Sequence, residues 1–361
     1  MHQGLTPLAI ICRPFGAKGG GVVSEFSGHQ LRRDPLLGFQ VVIAEGRENR
    51  PQQWKATIPP PSAMRCPFCG GHEDATPHER LALPAGLNRQ PDQMPWEVRV
   101  LPNIFPSLVP DSPGEPTQVT PPFYEVRPAC GLQEVIIESP QHVTSFGQLP
   151  QRNAVLTFQA YQQRLLALRE DGRFRYVQLF KNNGPAAGAS LEHSHSQLMA
   201  TEHVPPVVEA ELAASSAYFQ KHGRSFWSDL IEHEIRDGSR IVHVDENLVA
   251  FCPYASRMPL EVCVLPRRRQ ADFGDANSTL LGQLALLLQS IVARVEKTLD
   301  FPAYNYLIHT SPFDTPSPEH YHWHVEVLPR VTVRAGFEWG TGLYVNPLSP
   351  ERAAQILREA V

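Results

Sequence analysis

The sequence predicts an α+β fold of two related halves, each an antiparallel sheet with a crossing helix, packed as one pseudo-duplicated unit. Three observations predict it. The first is an internal repeat. Glu134-Val135 and Phe146-Gly147 recur as Glu261-Val262 and Phe273-Gly274 at one offset of 127 residues, which also brings His193, His195 and Gln197 onto His320, His322 and His324. The second is a long helical segment that falls between the matched pairs in both halves. The third is the order strand, helix, strand, His-x-His, which occurs twice. The repeat divides the chain into an N-terminal half, 1–205, and a C-terminal half, 206–361.

The elements follow in chain order. Val41-Val42-Ile43 is a short β-branched run that predicts a strand, and Arg47 and Arg50 follow it on a loop. Trp96 to Leu101 alternates as a strand and turns out through Pro102-Asn103. Val135-Ile136-Ile137 predicts another. Gln151 to Glu170 carries Val155, Phe158, Tyr161, Leu165, Leu166 and Leu168 at helical spacing, and Gly172 ends it. Tyr176 to Phe180 is a strand that feeds the polar loop Asn182 to Ser190. In the second half a helix follows the break at 204–206 and runs to about Lys221. Ile241–Val244 and Leu248–Phe251 form a hairpin, and Leu260–Leu265 is a strand. Ser278–Leu299 is a strongly apolar helix, and Tyr304–Ile308 and His322–Leu328 are strands. Ser349-Pro350 starts the last helix with N-cap and N1-proline chemistry.

Composition sets outer bounds. Hydrophobic residues make up 42% of 361, enough for a real core. A net charge of −5 lacks the basic excess of a nucleic-acid-binding protein, so nucleic acid is not an expected partner. The six cysteines are spread too sparsely for a disulfide framework. Leu8–Cys12 is too short for a signal sequence, and no uninterrupted apolar run approaches the ~18 residues of a membrane span. These features predict a soluble cytoplasmic protein with no membrane partner. Thirty-five prolines, many in doublets, predict long, stiff connections.

Two stretches carry chemistry. In Asn182 to Gln197 a glycine-bearing polar loop runs straight into His193-x-His195-x-Gln197. Loop amides can cradle phosphate, and alternation puts His193, His195 and Gln197 on one face of an extended segment. An imidazole beside such a cradle is suited to attack phosphorus. The blander alternative is a strand with surface histidines. The second stretch is Cys66-Pro-Phe-Cys69-Gly-Gly-His72, a knuckle of the kind zinc thiolate sites use, although it supplies only two of four ligands. A redox C-x-x-C would open a helix at its second cysteine, which Gly70-Gly71 opposes. Arg47 and Arg50 read either as phosphate ligands or as solvated charge. The C-terminal half repeats the histidines as His320-x-His322-x-His324-x-Glu326, but Thr310 to Glu319 before them is a poor phosphate cradle.

Together these residues resemble the galactose-1-phosphate uridylyltransferases of the histidine-triad superfamily, from Arg32 to about Pro350 and through separated motifs in the same order. The resemblance implies two histidine-triad-like halves. It places Arg47 and Arg50 on a phosphate-contacting loop and Asn103 on a turn that touches the nucleotide. Asn182, Gly188, Ala189 and Ser190 fall on its nucleotide phosphate loop. Cys66, Cys69, His142 and His193 match its structural zinc ligands. His195 matches the nucleophile and Gln197 the glutamine beside it. A second metal, zinc or iron, falls on Glu211, His309, His324 and Glu326, the last of which is usually histidine.

The implied substrates are a nucleotide sugar and a sugar 1-phosphate, and the implied assembly is a homodimer. The implied reaction is ping-pong: His195 takes the uridylyl group of UDP-glucose and passes it to galactose 1-phosphate, as in galactose metabolism. Gln197 would donate a hydrogen bond to the intermediate without titrating. Galactose-specific members hold the hexose phosphate with lysine–phenylalanine and tyrosine–glutamate pairs. Here Arg334 to Tyr344 keeps Phe337 but looks more like the branch that includes ADP-glucose phosphorylase. Three rivals follow: an adenylyltransferase or phosphorylase acting on ADP-glucose, a hydrolase using His322, and a non-catalytic, zinc-stabilised nucleotide-binding module.

Overall fold

The computed structural model describes residues 29–44, 65–86, 88–110, 129–315 and 318–360. Within them lie strands β1 (Gln30–Arg33), β2 (Gln40–Ile43), β3 (Leu81–Leu83), β4 (Val98–Pro102) and β5 (Gly131–Ile137), then helix α1 (Gln151–Asp171), β6 (Tyr176–Asn183) and β7 (His195–Thr201). The second half continues with α2 (Pro206–His222), α3 (Phe226–Asp237), β8 (Ile241–Val244), β9 (Leu248–Phe251), β10 (Val262–Pro266), α4 (Ser278–Leu299), β11 (Tyr304–His309) and β12 (His324–Pro329). Helix α5 (Gly336–Thr341), β13 (Tyr344–Asn346) and α6 (Pro350–Glu359) close the chain.

The duplication is written into the sheet. Ten strands run in the order β3-β4-β5-β7-β6-β11-β12-β10-β9-β8, each antiparallel to its neighbours. The second five mirror the first about the β6–β11 seam. There Phe180 pairs with Leu307, two residues that hold the same place in the repeat, so an approximate dyad passes between them. The 3₁₀ turns Phe146–Gln148 and Phe273–Asp275 also sit one repeat apart, as do the first residues of α1 and α4. A smaller sheet, β1-β2-β13, joins the two ends of the described chain, with β13 parallel to β2.

Helices α1 and α4 pack together on one face of the large sheet. Phe158, Tyr161, Leu165, Leu284, Leu288 and Val292 meet Ile136, Leu179, Leu198, Val264, Ile308 and Val325 in one core. Helix α4 is long and apolar enough to cross a membrane by length and composition, but half of its most apolar window is buried inside the protein, as befits a core helix. The expected strand at His322 begins two residues later, at His324. Helix α3, α5 and the short strands β1, β3 and β13 lie in stretches for which no element was expected.

Candidate active site and metal centres

Strand β7 alternates. Leu198 and Ala200 enter the helix-side core, so His195 and Gln197 project from the opposite face. His195 is 6% exposed. Its Nδ1–H donates to the His193 carbonyl at 2.8 Å. A carbonyl only accepts, so the proton sits on Nδ1 and Nε2 carries the free lone pair. Burial, followed by the positive charge of Lys181, pushes the His195 pKa down, which keeps the ring neutral. Phe68, from the Cys66–Cys69 knuckle, packs edge-on against it at 5.3 Å. A neutral imidazole of fixed tautomer with a free Nε2 is a nucleophile in waiting.

Gln197 is oriented by its neighbour on β5. Gln133 Nε2 donates to Gln197 Oε1 at 2.7 Å, and Gln133 Oε1 in turn accepts from the Ser107 amide at 2.9 Å. With its carbonyl occupied, Gln197 keeps its NH₂ group as the available donor. Asn103 lies at the same sheet end, its amide bonded to the Gln133 carbonyl and its Oδ1 capping Phe105.

The loop after β6 is shaped by two glycines. Gly184 has φ +81° and ψ 158°, and a Cβ there would lie 2.9 Å from Ala303 Cβ. Gly184→Ala is therefore expected to destabilise the fold by roughly 1–3 kcal/mol, read as a lower midpoint in urea unfolding. Gly188 takes φ +90°. The Gly188 and Ala189 amides close on the Pro185 and Gly184 carbonyls, so these two residues shape the loop and leave the exposed Ser190 as its outward-facing hydroxyl. Asn305 of β11 holds the loop from the second half, donating to Asn182 Oδ1 at 2.8 Å and to the Ala187 carbonyl at 2.9 Å.

Cys66, Cys69, His142 and His193 converge, their ligand atoms all within 4.8 Å of one another. His193 Nε2–H donates to the Ser139 carbonyl at 2.8 Å, which leaves the Nδ1 lone pair facing Cys66 Sγ at 3.5 Å and Cys69 Sγ at 3.6 Å. His142 Nδ1 is 3.4 Å from Cys69 Sγ. Sulfur and nitrogen ligands on one tetrahedral ion, at about 2.3 and 2.05 Å, would stand about 3.6 Å apart, so the donor set fits a metal. Without a cation, burial and the neighbouring Cys66 push the Cys69 thiol up to about 11. The Gly70 amide bonds the Pro140 carbonyl at 2.8 Å and His72 Nδ1–H donates to the Cys66 carbonyl at 2.7 Å, fixing the knuckle. His193 of this group stands two residues along the chain from His195.

Behind β7, on the helix side, lies a polar cluster that no motif singles out. Lys181 Nζ donates to Glu138 Oε2 at 2.7 Å, Ser194 Oγ at 3.0 Å and the His195 carbonyl at 3.0 Å. Lys181 and Glu138 are both fully buried. The available signal was strand period: Val177, Leu179 and Lys181 share a face, which put a lysine where an apolar residue belongs.

The second half brings Glu211, His309 and His324 together. Glu211 Oε1 lies 3.1 Å from His309 Nδ1 and 3.8 Å from His324 Nε2, and these three residues could also hold a metal ion. Glu326 is only partly in this group. It stands 3.9 Å from His309 Nε2 and is paired to the Arg257 guanidinium at 2.8 Å. His322, which repeats the position of His195, is fully buried, and neither of its ring nitrogens makes a hydrogen bond of good geometry. Burial, the largest influence, pushes its pKa down to about 3. Phe337 on α5 is half-exposed. Its segment approaches the loop after β6, but Arg330, Arg334 and Trp339, rather than Phe337, share with Ala186 a cavity of about 620 Å³. Arg47 and Arg50 lie outside the described residues.

A sequence model of the galactose-1-phosphate uridyl transferase N-terminal domain matches residues 24–205, and a model of a domain of unknown function matches residues 139–361. An ADP-glucose phosphorylase of Arabidopsis thaliana is 31% identical over 347 residues, 94% of this chain and 95% of that protein. A galactose-1-phosphate uridylyltransferase of Thermotoga maritima is 27% identical over 91% of this chain and 98% of its own length. The crystal structure of the Arabidopsis thaliana ADP-glucose phosphorylase with bound ADP-glucose superposes with a TM-score of 0.78 at 28% identity, covering 92% of this chain and 99% of that one. A uridylyltransferase structure superposes with a TM-score of 0.71, also at 28% identity, covering 91% and 97%.

Proposed function

Because this chain belongs to the galactose-1-phosphate uridylyltransferase family of nucleotidyltransferases, we propose that it moves a nucleotidyl group through a covalent nucleotidyl-His195 intermediate. The observation that carries the reading is the His195 tautomer, with Nδ1–H tied to the His193 carbonyl and Nε2 left free. His195 Nε2 attacks the α-phosphorus of a nucleoside diphosphate sugar, the bond to the bridging oxygen breaks, and the sugar 1-phosphate leaves. A phosphate oxygen of the acceptor then attacks the same phosphorus, the P–N bond breaks, and neutral His195 is restored. The Gln197 amide donates to a phosphoryl oxygen, and Asn103, Asn182, Ser190, Arg47 and Arg50 are the further candidates to hold the nucleotide.

For the donor and acceptor we favour ADP-glucose and inorganic phosphate, giving glucose 1-phosphate and ADP. Support comes from the higher likeness to ADP-glucose phosphorylase in both sequence and structure. The cavity beside the loop, lined by Arg330 and Arg334 together with Glu338, is a candidate to receive the acceptor anion. The second reading, transfer of a uridylyl group from UDP-glucose to galactose 1-phosphate, rests on the other relatives. Zinc suits the Cys66–Cys69–His142–His193 set, as a structural ion that holds the strand of His195. Zinc or iron suits Glu211, His309 and His324, with Glu326 at their edge.

Incubation with ADP-glucose or UDP-glucose, followed by mass spectrometry of the intact and digested protein, tests the assignment. Adenylylated His195 from ADP-glucose, discharged by inorganic phosphate, is the expected result. A uridylyl adduct discharged only by a hexose 1-phosphate would select the second reading. No adduct from either donor would refute nucleotidyl transfer.

A further inference from the structure

The buried lysine behind β7 is not required by its strand, and the duplication shows it. One repeat further on, Glu138 becomes Leu265, Lys181 becomes Ile308 and Ser194 becomes Tyr321. Ile308 is fully buried in the corresponding strand β11, on the same helix-side face as Lys181. Leu265 is buried too, but on the opposite face of β10 against α3, so the comparison holds for the lysine. The place of Lys181 is thus filled in one half by an apolar side chain and in the other by a buried ammonium paired with a carboxylate. Burying two charges is expensive even when they are paired, and apolar residues of like size commonly serve a core as well or better. The charged version occurs in the half that presents His195.

Its hydrogen bonds show what it holds. An ammonium has three donors, and Lys181 aims all three inward, at Glu138, Ser194 Oγ and the His195 carbonyl. Ser194 Oγ donates in turn to Glu138 Oε2 at 2.6 Å. Glu138 Oε1 also meets the Tyr306 hydroxyl at 3.5 Å, and Tyr306 lies 2.5 Å from the Tyr161 hydroxyl, which donates to Ser196 Oγ at 2.7 Å. The polar side chains of both residues flanking His195, and its own carbonyl, are therefore gripped from the rear. At the front its ring is gripped through Nδ1 by the carbonyl of His193.

The geometry points to Lys181, together with Glu138, as a positioning residue that sets the backbone of Ser194 and His195 and so the direction of His195 Nε2. This rests on the reading of His195 as the nucleophile. It adds that the charged pair, not the strand alone, holds the imidazole in line. A displacement of the nucleophile by about 1 Å can lower a rate on the order of 10²-fold.

The test replaces the charged pair by apolar side chains, as the second half does at Ile308. A Glu138→Leu/Lys181→Ile double variant removes both charges, so neither is left unpaired, and Ser194→Ala provides a milder second variant that keeps the ion pair. Two readouts are taken on the full-length protein. In ¹⁵N-histidine NMR without any nucleotide, His195 is expected as the single Nδ1–H tautomer in the wild type and as a mixture in the double variant. In single-turnover quench with ADP-glucose, nucleotidylation of His195 is expected to slow on the order of 10²-fold in the double variant, and less in Ser194→Ala, with donor affinity within about threefold of wild type. A folded double variant with an unchanged His195 tautomer and labelling within about threefold of wild type would overturn the inference. If the double variant does not fold, Ser194→Ala decides: wild-type tautomer and rate in that variant would also overturn it. Should the wild type label with neither nucleotide sugar, the functional reading falls while the tautomer measurement still decides the positioning role.

Discussion

His195→Asn is expected to lower turnover by roughly 10⁴-fold or more and to abolish the covalent adduct, with the fold preserved. The asparagine amide can still donate to the His193 carbonyl, where His195 Nδ1 now bonds at 2.8 Å, so the local structure keeps its partner. What is lost is a lone pair able to attack phosphorus. The matched control is His322→Asn. His322 holds the same place in the repeat but is fully buried, away from any counterpart of the loop after β6. Its replacement places an amide in a site without good hydrogen-bond partners and is expected to destabilise by about 1–3 kcal/mol while changing kcat less than about threefold. Steady-state kinetics, circular dichroism and mass spectrometry of the two variants check both halves of the statement. Activity surviving His195→Asn but lost in His322→Asn would transfer the chemistry to the other half.

Removal of the ion expected at Cys66, Cys69, His142 and His193 should show first as lost stability. The four side chains come from two separate segments and from the approach to β7, and their ligand atoms meet one another. Metal-binding free energy at such a site is folding free energy. A loss of about 3 kcal/mol, a fraction of what a small zinc domain gains, would lower Tm by roughly 3–5 °C in a chain of this length. Treatment with a strong chelator, or Cys69→Ser, is expected to give that shift in differential scanning fluorimetry, with zinc restoring the chelated protein but not the variant. At 25 °C the folded, stripped protein should retain measurable turnover, reduced by about tenfold, because Phe68 still packs against His195 but its loop has loosened. A Tm unchanged by complete metal removal, verified by elemental analysis, would contradict the structural role.

Much of this was readable without coordinates. Apolar spacing placed α1 and α4, and the matched pairs at one offset tied the two helices to one repeat, because two copies of one pattern corroborate each other where a single apolar run is ambiguous. Helix α3 was readable too: Phe226, Trp227, Leu230 and Ile231 have helical spacing behind Ser225. Strands β1, β3 and β13 span three or four residues, too few to show alternation. In the site, the cysteine knuckle and His193-x-His195-x-Gln197 announced themselves by spacing. Gln133 and Asn305 did not, since an amide on a strand has no signature until its partner on another strand is known. Glu326 matched a ligand position in order along the chain, yet Arg257 claims its carboxylate, a competition visible only in space.

The sequence by itself determined the local chemistry: which residues carry thiolate, imidazole and amide, how they alternate along a strand, and that one pattern is used twice. Those properties depend on neighbours along the chain. Only the tertiary structure decided which nitrogen of His195 is free, which atom of Gln197 is already bonded, and that a buried Lys181–Glu138 pair stands behind His195 where the other half has Ile308 in place of the lysine. Those properties depend on which carbonyl, amide or charge a distant strand brings within about 3 Å, and hydrogen-bond direction and charge burial are set at that distance.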